Sequence, residues 1–228
     1  MLKFPRASLA LACLALAALP LRAETAPPTA VGALFDTPHL DNLKPGAEVA
    51  YRFQRTVSDA QLLGAPFNDD IKLDVQKVDA EGKRDVVVKV FTGERARDPQ
   101  AIPELTGNPL LVLYLDRFVK NFNQIAGGNP PYLKNQLRNA LRDKAKVDPV
   151  KIDYDGHTID GYRIAVQPYV DDANAPKMLG YEGAKFSIVV SDAVPGRFVE
   201  LVSTFDSSKA ENPKLEERIT IAGLGGVK

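Results

Sequence analysis

Three acids and one histidine fall within the eight residues Asp153-Tyr154-Asp155-Gly156-His157-Thr158-Ile159-Asp160. That density suits metal binding or general acid–base work. An Asp-Gly pair between two alternating segments is also a two-residue hairpin signal. It places Tyr154 opposite His157, Ile152 opposite Ile159 and Lys151 opposite Asp160. Strand parity then sends Asp153 and Asp160 to one face and His157 to the other, and turn chemistry already accounts for Asp155 and Gly156. The second histidine, His39, stands with Asp36 and Asp41 in a proline-rich stretch, where a Ser/His/Asp device needs distant partners. No serine sits in a nucleophile elbow. Asn68-Asp69-Asp70 lacks the spaced oxygen ligands of a calcium loop. Gly223-Leu224-Gly225-Gly226 has no helix behind it to cradle a phosphate. These patterns predict no catalytic residue, no metal site and no cofactor, and a hydrolase ranks only third among the functions considered.

Two other constellations can meet a ligand. Lys134, Arg138 and Arg142, extended by Lys144 and Lys146, recur at helical spacing and suit either contact with an anionic headgroup or a solvated face. Arg95 and Arg97 lie in Gly93-Glu94-Arg95-Ala96-Arg97-Asp98-Pro99, which reads as a loop with internal ion pairs. The larger pattern is apolar. Tyr51, Phe53, Phe186 and Ile188 share inward strand positions, and Leu110, Leu113, Phe118 and Phe122 lie on one helix. Together they are the expected binding residues for a lipid or acyl chain.

The elements that must position these residues are mostly strands. Val49, Tyr51 and Phe53 alternate with polar neighbours in Glu48–Val57, as do Ile71, Leu73 and Val75 in Ile71–Val78. The Asp79-Ala80-Glu81-Gly82-Lys83 turn leads into a hairpin partner, Asp85–Phe91. Asn108-Pro109 caps a helix that Gly127-Gly128 ends. Its residues Leu111, Val112, Leu115, Phe118, Val119, Phe122, Ile125 and Ala126 fall within an arc of roughly 140°, with Leu110 and Leu113 outside it and Asp116 placed to pair with Lys120. Asn129-Pro130 starts a second helix with the stripe Leu133, Leu137, Ala140 and Leu141. Strands return in Val150–Tyr154, His157–Tyr169, Phe186–Val190, Phe198–Phe205 and Leu215–Leu224. The apolar parity switches at Gly161, as a β-bulge makes it do. The expected fold class is α+β: a curved antiparallel sheet or unclosed half-barrel of at least seven strands. A two-helix insertion near 109–126 and 130–144, after the third strand, packs on its apolar face.

Lys3 and Arg6 precede the uncharged run Ala7–Leu21, which Ala23 closes before Glu24. That order describes a signal peptide over residues 1–23, cleaved near Ala23, and implies a periplasmic protein. The run is shorter than the roughly 20 apolar residues of a membrane span, and no later stretch could cross a bilayer. The single cysteine, Cys13, leaves with this segment, so packing rather than disulfides must hold the mature chain. Its length of about 205 residues is ample for one domain that buries ~70% of its unfolded surface. Residues 24–46 read as an extended N-terminal arm and 47–228 as a single sheet domain. The full chain balances 29 basic against 29 acidic residues. Loss of Lys3, Arg6 and Arg22 leaves an acidic excess, which excludes nucleic acid as a partner.

Pro38-His39-Leu40-Asp41, Leu62-Leu63-Gly64-Ala65-Pro66-Phe67, Gly107-Asn108-Pro109-Leu110, Pro131-Tyr132-Leu133-Lys134-Asn135 and Ser191-Asp192-Ala193-Val194-Pro195-Gly196 resemble stretches of an uncharacterised family of exported Gram-negative proteins. That family brings no activity. The element order is similar to that of periplasmic lipoprotein carriers of the LolA/LolB kind. This resemblance implies a concave sheet that holds helices and binds acyl chains, and no site residue is carried over from it. The expectation is therefore a non-catalytic periplasmic binder or carrier of an apolar ligand. The rival is a structural or interaction module of the cell envelope, with a filled core and a protein partner.

Overall fold

The computed structural model describes residues 26–228. The expected leader, with Cys13 and the cleavage point near Ala23, lies outside the described residues. Ten strands are present: β1 (Glu48–Val57), β2 (Phe67–Val78), β3 (Arg84–Val90), β4 (Gln100–Leu105), β5 (Lys146–Tyr154), β6 (His157–Val166), β7 (Lys185–Val190), β8 (Phe198–Phe205), β9 (Leu215–Ile221) and β10 (Leu224–Val227). The helices are α1 (Ala60–Leu63), α2 (Leu110–Ala126) and α3 (Pro130–Asp143). All ten strands join one antiparallel sheet in the order β10-β5-β6-β7-β8-β9-β1-β2-β3-β4. Its two edges do not pair, so it is an unclosed half-barrel.

The strand order itself requires the sheet to curl. β9 and β10 lie five strand spacings apart, roughly 24 Å if the sheet were flat. Only Ala222 and Gly223 join them, and three Cα steps reach roughly 11 Å. The tip of the β5–β6 hairpin therefore has to swing round to the end of β9, where the Asp155 amide donates to the Gly223 carbonyl at 3.1 Å. Register shifts at Val75/Lys77, Arg84/Val86 and Val189/Val190 add curvature in the way bulges do.

The hairpin register is the expected one, with Tyr154 opposite His157, Ile152 opposite Ile159 and Lys151 opposite Asp160. The bulge expected at Gly161 is absent, because the ladder with β5 runs unbroken from Ala165 to His157. What changes at Gly161 is the other neighbour: β7 pairs only with Tyr162–Val166, so the hairpin outruns it there. A Cβ on Gly161 would stand 2.4 Å from Ile152 Cδ1 and 2.5 Å from the Val190 carbonyl oxygen. The glycine is needed for close approach of the chains, not for an inserted residue.

α2 lies in the trough. Asn108 Oδ1 accepts from the Leu110 amide at 3.0 Å to cap it, and the Asn108 side-chain amide donates to Tyr51 Oη and to the Gly196 carbonyl. Its buried side chains are Leu110, Leu111, Tyr114, Phe118, Val119, Asn121, Phe122 and Ala126. The expected arc is therefore rotated: Leu110 is buried and Val112 is exposed. Tyr114 and Asn121, which a hydropathy count leaves out, complete the buried side. Asp116 pairs with Lys134 of α3 at 2.7 Å rather than with Lys120. α3 buries the expected stripe of Leu133, Leu137, Ala140 and Leu141.

Three differences concern the number and course of the elements. The strand expected over Leu215–Leu224 breaks at Ala222-Gly223 into β9 and β10, which pair in different parts of the sheet. The helical pair follows a fourth strand, not the third, because β4 is an edge strand broken in pattern by Pro103 and mostly exposed; prolines are tolerated at such edges. The stretch read as an extended arm is not simply extended. It makes a π-helical turn at Gly32–Asp36 and buries Leu34, Leu40 and Leu43 in the core.

Candidate functional site

The concave floor is built from inward strand positions and is closed by α2. Tyr51 and Phe53 on β1, Phe186 and Ile188 on β7, and Leu110, Phe118 and Phe122 on α2 are all fully buried. Their rings interlock: Tyr114 stacks on Phe186 at 5.0 Å, Phe118 meets Phe186 at 5.6 Å and Phe205 at 5.0 Å, and Phe122 meets Tyr169 at 4.3 Å. Seven of the eight predicted apolar binding residues thus belong to one buried core cluster. Burial also raises the Tyr51 hydroxyl above its ordinary pKa, against the lowering hydrogen bond from Asn108.

The eighth residue, Leu113, lies elsewhere. With Val112 it lines a groove of about 730 Å3 between the outer side of α2 and strands β3 and β4. Val88, Val90, Ile102, Leu105, Leu111 and Phe35 line it too. Val112 is 63% exposed and Phe35 50% exposed, so two large apolar side chains meet water inside a concave surface. A volume of this size lies within the roughly 300–1,000 Å3 usual for small-molecule sites. Arg97, Glu104, Asp116, Arg117 and Lys120 supply its charges.

Beside the groove sits an ionic network that joins α2 to the sheet. Glu217 of β9 is 1% exposed and takes Arg117 in a bidentate pair, Nε to Oε2 at 2.9 Å and Nη2 to Oε1 at 2.5 Å. Arg55 of β1 bonds the same Oε1 and also donates to Asn121 Oδ1 at 3.3 Å and to the Leu63 carbonyl at 3.1 Å. The Arg117 guanidinium lies over Phe53 at 4.6 Å and Phe91 at 5.5 Å, cation–π geometry that favours a desolvated cation. No sequence pattern singled out these residues. A signal existed, however: Arg55 follows Val49, Tyr51 and Phe53 at inward parity, and Glu217 stands between Leu215 and Ile219 in the same way.

The basic stripe on α3 is exposed. Lys134 is paired with Asp116, Arg142 with Asp143, and Arg138 donates to Asn135 Oδ1 at 3.3 Å. Of the two histidines, His157 lies exposed beside its hairpin turn. His39 is buried, its Nε2 2.8 Å from the Ala33 carbonyl and its ring 4.7 Å from Phe198. Among the described residues no group of three or more His, Cys, Asp or Glu side chains is placed to hold a metal ion. Among the same residues no helix is long and apolar enough to cross a membrane.

No family model matches the chain, and no curated protein matches it. Among solved structures it is similar to the lipoprotein LppX of Mycobacterium tuberculosis, at 12% identity and a TM-score of 0.33, over 86% of this chain and 92% of that one. It is also similar to a LolA superfamily protein of Nitrosomonas europaea, at 12% identity and a TM-score of 0.20, over 88% and 93% of the two chains. Overlaps this slight leave the function to be read from the groove itself. Two further grooves mix apolar and polar walls as this one does. One of about 970 Å3 beside the arm is lined by Asp160, Ser191, Asp192 and Arg197, and one of about 740 Å3 lies at the α2–α3 corner, lined by Phe122, Ala126, Leu133 and Met178.

Proposed function

We propose that this protein is an exported, non-catalytic binder or carrier of an apolar ligand such as an acyl chain, and that the ligand lies along the groove between α2 and strands β3 and β4. The observation that carries the reading is the pair Val112 and Phe35, large apolar side chains left to water in a groove whose other walls are Val88, Val90, Ile102, Leu105 and Leu113. Covering such a surface is favourable by ~25 cal/mol per Å2 of apolar area. The basic-then-apolar opening of the sequence supports export to the periplasm.

The filled floor favours a second reading. α2 seals Phe118 and Phe122 completely, as expected of an envelope module that binds a protein partner and holds no lipid. One experiment separates the two. Lipids extracted from purified protein are identified by mass spectrometry, and a fluorescent fatty acid is titrated into the delipidated protein. The carrier reading expects bound lipid and saturable binding that Val112→Glu weakens about tenfold or more, with the melting temperature held because the site is exposed. Absence of both lipid and fatty-acid binding would falsify it.

A further inference from the structure

The groove's charges are not evenly spread, and their imbalance names a class of ligand. Arg117 and Arg55 share the single carboxylate of Glu217, so this buried cluster keeps one positive charge uncompensated. Arg97 extends the excess: its guanidinium lies 5.9 Å from the centre of Phe91, the ring that Arg117 also covers. Lys120 stands one helical turn beyond Arg117 on α2 and lines the same groove. Neither Arg97 nor Lys120 has an ion-pair partner among the described residues.

The two acids that line the groove do not cancel this. Asp116 is held by Lys134. Glu104 lies on β4 two residues beyond Ile102, next to the Leu105 that pairs with Arg84; it is exposed, with no ion-pair partner among the described residues, and sets one carboxylate against Arg97, Lys120 and the uncompensated guanidinium. Gln100 pairs with Val88 and Leu105 with Arg84 at the other end of β3, so the groove runs from a cationic end at Arg97, Arg117 and Lys120, where both guanidiniums meet Phe91, toward Phe35 and Leu105, with Glu104 at the far end. Resting on the apolar-ligand reading above, we infer that the occupant is a single-chain amphiphile with an anionic head. The head meets Arg97, Lys120 and the open edge of Arg117, and the chain lies against Val88, Val112 and Leu113 toward Phe35. A second anion at that end relieves the charge that one carboxylate leaves on two guanidiniums, and a desolvated Arg favours such a partner. A carboxylate and a phosphate ester share this chemistry.

The test compares three probes with the same chain length on the delipidated full protein: tetradecanoate, tetradecanoyl lysophosphatidate and uncharged tetradecanol. The wild type is expected to bind at least one anion about tenfold tighter than the alcohol, the factor that a charge-assisted hydrogen bond supplies. The preference should shrink as salt rises. Arg97→Gln with Lys120→Gln should bring the anion and alcohol affinities together. Whichever anion is preferred identifies the head as carboxylate or phosphate. Equal affinity for all three probes, lost in Val112→Glu, overturns the anionic head while leaving the apolar groove in place. Binding of none of the three overturns both.

Discussion

Glu217 shows how much one side chain can hold at the core of this sheet. Among the described residues it is the sole carboxylate paired with two guanidiniums, Arg55 buried and Arg117 15% exposed, and it links β9, β1 and α2. Removing one member of a buried ion pair leaves its partners desolvated, which costs ~3–5 kcal/mol. Glu217→Ala is therefore expected to lower stability by about that amount in a urea titration; a midpoint equal to wild type would show that the network is dispensable. His39 offers a second test at this scale. A carbonyl only accepts, so Nε2 must carry the proton given to Ala33, and burial lowers the ring's pKa below its ordinary value of 6.5. The unfolded imidazole takes up a proton before the folded one does as pH falls. The stabilisation is thus complete above pH ~6.5 and declines below it. Melting temperatures at pH 7.5 and 5.5 should differ more in the wild type than in His39→Gln, and an identical pH slope in both would rule the histidine out as a cause.

Among the elements, the β5–β6 hairpin was the most legible and also hid the least expected feature. Asp155-Gly156 determines its turn and register, and both φ angles there are positive, +47° and +77°, as a type I′ turn requires. The parity switch at Gly161 was also visible, but its cause was not. Period-2 reasoning interprets such a switch as an added residue, whereas here the strand simply loses one neighbour. Gly161→Ala must push Ile152 and the Val190 carbonyl apart. Overpacking of this kind costs ~1–3 kcal/mol, and Ile152→Val can relieve only one of the two contacts. A Gly161→Ala protein as stable as wild type would place the hairpin's pivot elsewhere. α2 teaches a related lesson. Helical periodicity marks it correctly as amphipathic, yet the buried side extends to Tyr114 and Asn121 because a trough contacts a helix over a wider arc than a flat sheet does.

At the scale of the whole molecule, the apolar surface splits into a sealed floor and an open groove. The floor residues pack as a core does, so substitutions there act on stability. Groove residues such as Val112 are expected to act on binding with the fold intact, and the Val112→Glu titration reads that division directly. Loss of fold in Val112→Glu would mean that the groove belongs to the core. Seven of the eight predicted binding residues fell on the floor, and sequence could not have sorted them otherwise. Apolar character is the same whether a neighbouring helix or a guest covers it.

Local chemistry in the chain determined the turns, the helix caps, the inward side of each strand and the α+β class, because each depends on residues a few positions apart. The curl that brings β10 beside β5, the pairing of Glu217 with arginines from distant elements, and the choice of which apolar side chains stay uncovered belong to the tertiary structure. Periodicity tells each element which side faces in, but not what it will find there; that is decided only when segments far apart in the chain share the same few ångströms.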